Sequence, residues 1–254
     1  MITFAGSPES VVESAVRAAA KATELIDLNH HGGVHPRLGA LDVLPFIPLG
    51  EATLEDCVEL AHGAGQRIWK ELGIPVYFYE ASATRSDRIK LENVRRSQFE
   101  GLRKSALSDE SKRPDIGGPG LHATAGAVIV GARKILIAFN INLRTADLEL
   151  ANAIAKRIRA SSGGLPAVKA LGLPLSSRGL VQVSINLTDF EQTPMQRVYE
   201  EVAHLAAVYG AEVEETELIG LVPRKALEVS TAGLMKIVDF DSQRFIEDRL
   251  ETLL

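Results

Sequence analysis

His35, Arg37 and Asp42 put an imidazole, a fixed cation and a carboxylate within eight residues. Imidazole exchanges protons near neutral pH, and a guanidinium holds a carboxylate through two parallel hydrogen bonds. These groups lie between a flexible Gly32-Gly33 pair and an apolar run, residues 40–49, that reads as a buried strand. A loop that ends in a rigid strand can aim such groups. A second segment, residues 117–126, is rich in glycine and small side chains. Glycine there permits φ > 0 or close approach of a backbone to a ligand. Its spacing matches neither the dinucleotide pattern GxGxxG nor a phosphate loop, so it reads as a plain surface loop or as a slot for a planar ligand.

Other candidates are weaker. His31 and His35 are four apart, but Gly32-Gly33 and Pro36 break any helix that would bring them onto one face, and no thiolate lies near. No metal is expected, and His30 and His31 read as exposed loop polarity or as hydrogen-bonded to a neighbouring carbonyl. The single cysteine, Cys57, sits in a helical pattern and reads as a small core residue. No Gly-x-Ser-x-Gly elbow occurs.

The elements that must position these groups alternate along the chain. Ser7-Pro8-Glu9 starts a helix with an oxygen cap, a proline in the first turn and an acid at the positive dipole end. Thr53 starts another, to about Leu72, with Leu54, Val58, Ala61, Ile68 and Trp69 as its apolar face. Residues 75–79 read as a strand, and 87–107 as a polar helix whose basic residues form a solvated face first and an anion site second. Residues 127–130 and 134–143 flank Gly131-Ala132 as a hairpin or a domain crossover. A helix is expected over 145–160, a strand over 180–187, a helix from Thr193-Pro194 to Tyr209 and a strand within 212–221. A helix opened by Pro223 and holding Leu227 follows, and then a final amphipathic helix over 241–254. The first five residues read as the end of a strand, so a preceding segment is expected to be missing.

The fold class expected is α/β (α+β): two split βαβ subdomains, 1–134 and 135–254, each a sheet with helices on its outer side, meeting at a cleft. Composition fits a soluble protein, with 46% hydrophobic and 24% charged residues. A net charge of -5 gives no general reason to bind nucleic acid or an anionic membrane. One cysteine allows no internal disulfide, and no basic leader or spanning apolar run is visible, so a cytoplasmic enzyme is expected.

Several separated motifs carry a family resemblance. They are Glu24-Leu25-Ile26-Asp27; the run from Gly33 through His35-Pro36-Arg37, Gly39-Ala40 and Asp42-Val43 to Pro45-Phe46-Ile47-Pro48; Pro75-Val76-Tyr77; Arg113-Pro114-Asp115 with Gly117; Gly131-Ala132-Arg133-Lys134; Ile137-Ala138-Phe139-Asn140-Ile141-Asn142-Leu143; Val183-Ser184, Asn186-Leu187 and Asp189-Phe190; and Leu221-Val222-Pro223. In this order they resemble the formiminotransferase family. The resemblance implies a stand-alone, dimeric transferase of histidine breakdown. It would move the formimino group of formiminoglutamate to N5 of tetrahydrofolate, a co-substrate. It implies that His35 is the acid/base. It also implies a folate-binding loop at Gly117, Gly118, Pro119, Gly120, Leu121, His122, Ala123, Thr124, Ala125 and Gly126.

Two further roles are inferred beside it. Arg37 holds a substrate carboxylate or structures its loop, and Asp42 orients an imidazole or a pterin amine. Departures are the strand, helix and strand that members usually have before this chain's start, and Gly32-Gly33-Val34 where members often carry Lys-Gly-Glu. Nothing in this sequence resembles the fused cyclodeaminase, so a stand-alone transferase is expected. Alternatives are transfer from another one-carbon donor, or a non-catalytic folate- or small-ligand-binding module.

Overall fold

The computed structural model describes residues 2–32 and 36–251. The chain divides into two compact units, Met1–Lys134 and Ile135–Leu254.

In the first unit, α1 (Pro8–Leu25) begins where the Ser7 hydroxyl accepts the Ser10 N–H, 3.3 Å away. α2 (Leu54–Leu72) begins with a reciprocal box between Thr53 and Asp56 and stops at Gly73 in the left-handed conformation. Strands β1 (Val43–Phe46), β2 (Val76–Glu80) and β3 (Val128–Ala132) form a parallel sheet in the order β1-β3-β2. β3 therefore splits the β1-α2-β2 crossover. A parallel sheet is stable when both faces are covered, which explains why Val76 to Tyr79 and all of β3 are buried. Ala15, Val16 and Ala19 of α1 and Ala61, Ala64 and Ile68 of α2 cover one face. Leu38, Val94 of α3 (Leu91–Arg95) and Leu102 of α4 (Gln98–Ser108) cover the other.

The second unit runs β4 (Ile137–Leu143), α5 (Leu148–Ile158), β5 (Val168–Leu175), β6 (Leu180–Leu187), α6 (Met195–Val208) and β7 (Val213–Ile219). Its sheet is antiparallel, in the order β5-β6-β4-β7, which is the split βαβ arrangement. Alternate residues Val181, Val183 and Ile185 of β6 enter the core with Ile154 and Val198 from the two helices. Asn140, Asn142, Gln182 and Ser184 occupy the opposite alternation. α7 (Val229–Leu234) and α8 (Ile246–Glu251) complete the unit.

Several expectations are corrected. Residues 2–6 form no strand: Ile2 is 85% exposed, and no ladder receives the backbone there. β1 is four residues long, not ten. Gly131-Ala132 is no turn but lies inside β3, and β3 and β4 belong to different sheets, so the crossover reading holds and the hairpin does not. The polar stretch 87–107 is broken into a 3-10 turn and two helices, and Arg88 within it is buried. Trp69 is half-exposed. Leu227 is extended, between a 3-10 turn at Arg224–Ala226 and α7. The last helix is shorter, α8 following a 3-10 turn at Ser242–Arg244.

Candidate functional site

The two segments singled out by sequence are joined in the first unit. Leu28 N–H donates to the Thr124 carbonyl (2.9 Å), Ala40 N–H to Ala125 (2.9 Å) and Ala127 N–H to Leu38 (3.2 Å). The Asn29 side-chain amide donates to the Ala123 carbonyl at 3.1 Å. Glycine makes this approach possible. A Cβ on Gly126, whose φ is +69°, would sit 2.1 Å from the Leu38 carbonyl oxygen, and one on Gly39 would sit 2.1 Å from that of Ala127. Leu28, Asn29 and residues 38–40 are thus built into one structural unit with residues 123–127.

His35 lies outside the described residues, as do Gly33 and Val34; the backbone on both sides of them is fixed. Arg37 donates to the carbonyls of His31 (2.7 Å) and Leu28 (3.2 Å) and meets Glu100 through both carboxylate oxygens (2.7 and 3.3 Å). Its guanidinium draws the two flanks of residues 33–35 together and ties them to α4. The fork holds Glu100, whose carboxyl sits below the usual range because of that bond above all. Asp42 accepts the N–H groups of Leu38 (2.7 Å) and Gly39 (3.3 Å) and pairs with Arg95. It shapes the turn that leads into β1.

Within 117–126 the residues do different things. Gly117, at φ +80°, passes beneath the Trp69 ring, where a Cβ would be 2.7 Å from the indole. This contact accounts for the half-exposed tryptophan. Gly118–Pro119 is a cis peptide. His122 and Gly126 exchange backbone hydrogen bonds (2.8 and 3.0 Å), and His122 Nδ1 accepts from Ala125 N–H (3.0 Å) with Thr124 N–H farther off at 3.4 Å. An accepting Nδ1 places the ring proton of neutral His122 on Nε2. Gly120, Leu121 and Ala123 join Asn29, Arg103 and Leu107 around an open cavity of about 500 Å³. It is a shallow depression open to solvent, with Leu107 and Leu121 as its apolar wall and Asn29 and Arg103 as its polar groups.

The loop also hangs on Asp115, from the Arg113-Pro114-Asp115 motif. Asp115 pairs with Arg88 at 2.7 Å, their side chains 7% and 6% exposed. Asp115 also accepts the Phe78 N–H (2.8 Å) and the Thr84 hydroxyl. Arg88 donates to the carbonyls of Ser111 (3.1 Å) and Arg113 (2.6 Å) and lies 5.0 Å above the Tyr77 ring. This network fixes the approach to Gly117 against β2. Glu100, Arg95, Arg103 and Asn29 were missed as well, because their partners are distant in sequence. The basic residues of 87–107 were the available signal, read first as a solvated face and second as an anion site.

Near His30, Asp27 Oδ1 accepts from Asn29 N–H (2.8 Å) and its side chain (2.7 Å), which lowers the Asp27 carboxyl's pKa, the backbone bond contributing most. His30 is exposed and its Nδ1 is 3.2 Å from Asp27. Cys57 is buried, and burial raises its thiol pKa.

Residues 1–133 match the family profile of the formiminotransferase domain, N-terminal subdomain, and residues 138–246 that of the formiminotransferase domain. The chain belongs to the formiminotransferase family. Among its relatives is the glutamate formimidoyltransferase of Streptococcus pyogenes serotype M1, 42% identical over 97% of this chain and 82% of the relative. The glutamate formimidoyltransferase of Thermoplasma acidophilum is 43% identical over 99% of this chain and 83% of the relative. A formimidoyltransferase-cyclodeaminase of Gallus gallus is 45% identical over 89% of this chain but only 42% of its own length. The laced loops therefore belong to a formiminotransferase N-terminal subdomain, and the antiparallel sheet to the formiminotransferase domain that follows.

Proposed function

We propose that this chain is a glutamate formimidoyltransferase. It transfers the formimino group of N-formimino-L-glutamate to N5 of tetrahydrofolate, giving 5-formiminotetrahydrofolate and glutamate. The observation that carries the site assignment is the lacing of the segment containing His35 to the 117–126 loop. The described residues on either side of His35 meet that loop, which supports reading His35 as acting on a ligand bound there.

N5 attacks the formimino carbon and loses a proton. The carbon–nitrogen bond to glutamate breaks, and that nitrogen gains a proton. His35 accepts the first proton and delivers the second, as an imidazole titrating near neutrality can. Tetrahydrofolate lies along Gly117 to Gly126, with Gly120, Leu121 and Ala123 on the cavity wall and Gly117 and Gly126 holding the loop's shape. Arg37 and Asp42 are positioning residues that fix the flanks of His35. The enzyme works in the cytoplasm as a homodimer, a reading supported by the family resemblance and checked by sedimentation. No helix among the described residues is long and apolar enough to cross a membrane.

His35→Ala tests the assignment. Turnover of formiminoglutamate with tetrahydrofolate should fall by roughly 10²- to 10⁴-fold, while calorimetry finds folate binding retained. Unchanged turnover in the variant contradicts the role.

A further inference from the structure

Arg37, the arginine that sequence offered for a substrate carboxylate, is committed to Glu100 and two carbonyls. Other arginines of the first unit are engaged too: Arg88 with Asp115, Arg95 with Asp42, Arg67 with Glu13 and Glu71. Both proposed substrates nevertheless carry carboxylates, and a carboxylate leaving water for a protein site needs a cationic partner.

Arg103 fills that need. It lines the 500 Å³ cavity together with Gly120, Leu121, Ala123, Leu107 and Asn29. Among the described residues its hydrogen-bond partner is the Asn29 side-chain oxygen, 2.7 Å from Nη1, and not a carboxylate. A guanidinium has five N–H donors, so most remain for a ligand. The group is also aimed. Its carbon lies 5.6 Å from the centroid of the buried Phe99 ring. Asn29 is fixed by Asp27 (2.7 Å) and by the Ala123 carbonyl (3.1 Å). One amide side chain thus ties the 27–31 turn, the cavity wall and the arginine into a preset arrangement. Glu100, one turn earlier on α4, is hydrogen-bonded to Arg37 and interacts with Arg103 only through space.

Resting on the transferase reading above, we propose that Arg103 binds a substrate carboxylate in this cavity as a specificity residue, with Asn29 as its positioning residue. The neighbouring Leu107 and Leu121 give the bound molecule an apolar wall beside the ion pair. The carboxylate belongs either to formiminoglutamate or to the glutamyl end of tetrahydrofolate, and the experiment separates the two.

Steady-state kinetics of Arg103→Gln and Arg103→Lys would be measured with formiminoglutamate and with two acceptors, tetrahydrofolate and tetrahydropteroate, which lacks the glutamyl group. Losing a charge-assisted bond should raise one KM by about 10- to 100-fold in Arg103→Gln, with a far smaller change in kcat. Lysine, which keeps charge but not the planar fork, should recover part of the loss. A raised KM for tetrahydrofolate but not for tetrahydropteroate assigns the folate carboxylate. A raised KM for formiminoglutamate assigns the donor. Unchanged KM values, or an equal rise for both acceptors with the donor unaffected, overturn the proposal. Wild-type protein without turnover defeats the transferase reading instead; calorimetric binding of the two folates to wild-type and Arg103→Gln protein then still reads the arginine.

Discussion

Arg88 and Asp115 are nearly closed off from water, and each side of the pair is also hydrogen-bonded, to carbonyls on one side and to Phe78 N–H and Thr84 on the other. Such a pair contributes little over an apolar substitute, but removing one member strands the other charge. Arg88→Met should therefore lose about 3–5 kcal/mol of stability in urea denaturation. Arg85→Ala, at an exposed pair with Asp87, should lose at most about 1 kcal/mol. Equal losses in the two variants would contradict the account. The basic pattern of 87–107 carried these charges but not their destinations, since Asp115 lies 27 residues beyond Arg88 on a separate loop. Arg37 shows the same limit. Its type and place were legible, whereas its partner Glu100 is 63 residues away.

At the scale of elements, the two loops work as one because backbone meets backbone at Gly39 and Gly126. Gly126→Ala would add a Cβ into the Leu38 carbonyl at a positive φ. The left-handed conformation alone costs an alanine about 1–2 kcal/mol, and separating the loops costs more. We expect a lower melting temperature and weakened folate binding together. Gly120→Ala is the contrast: its Cβ meets only Leu107 at 3.5 Å, so the melting temperature should hold. A Gly126→Ala protein as stable as wild type would contradict the lacing. Local chemistry made much of the element level legible. Thr53 marked the start of α2, and the alternation of Val181, Val183 and Ile185 marked β6. β5 and the breaks between α3 and α4 carried no comparable signal. Nor was the second cover on the first sheet visible, because Leu38, Val94 and Leu102 are apolar positions scattered over polar segments.

For the whole molecule, pH reports how its cores and ion pairs combine. Burial raises the pKa of Cys57, Tyr77 and Tyr79 above their ordinary values. Stability from these groups is fully present below their unfolded pKa values and is lost as pH rises through the folded ones. Glu13, Glu71 and Glu100 are lowered by arginine partners, so their contribution is present above the unfolded carboxylate range and is lost as pH falls through the folded values. Urea denaturation should show a plateau from about pH 5 to 8 and a decline above about pH 9. Stability that rose from pH 8 to 10 would contradict the assignment of these groups to the core. The most direct measurement of the central claim is formimino transfer from formiminoglutamate to tetrahydrofolate by the wild-type chain and His35→Ala, with folate binding followed in parallel. The account predicts turnover by the wild type, and a variant that binds folate but turns over at least about 100-fold more slowly. A wild type that binds folate without transferring the group, or a variant as fast as the wild type, would contradict it.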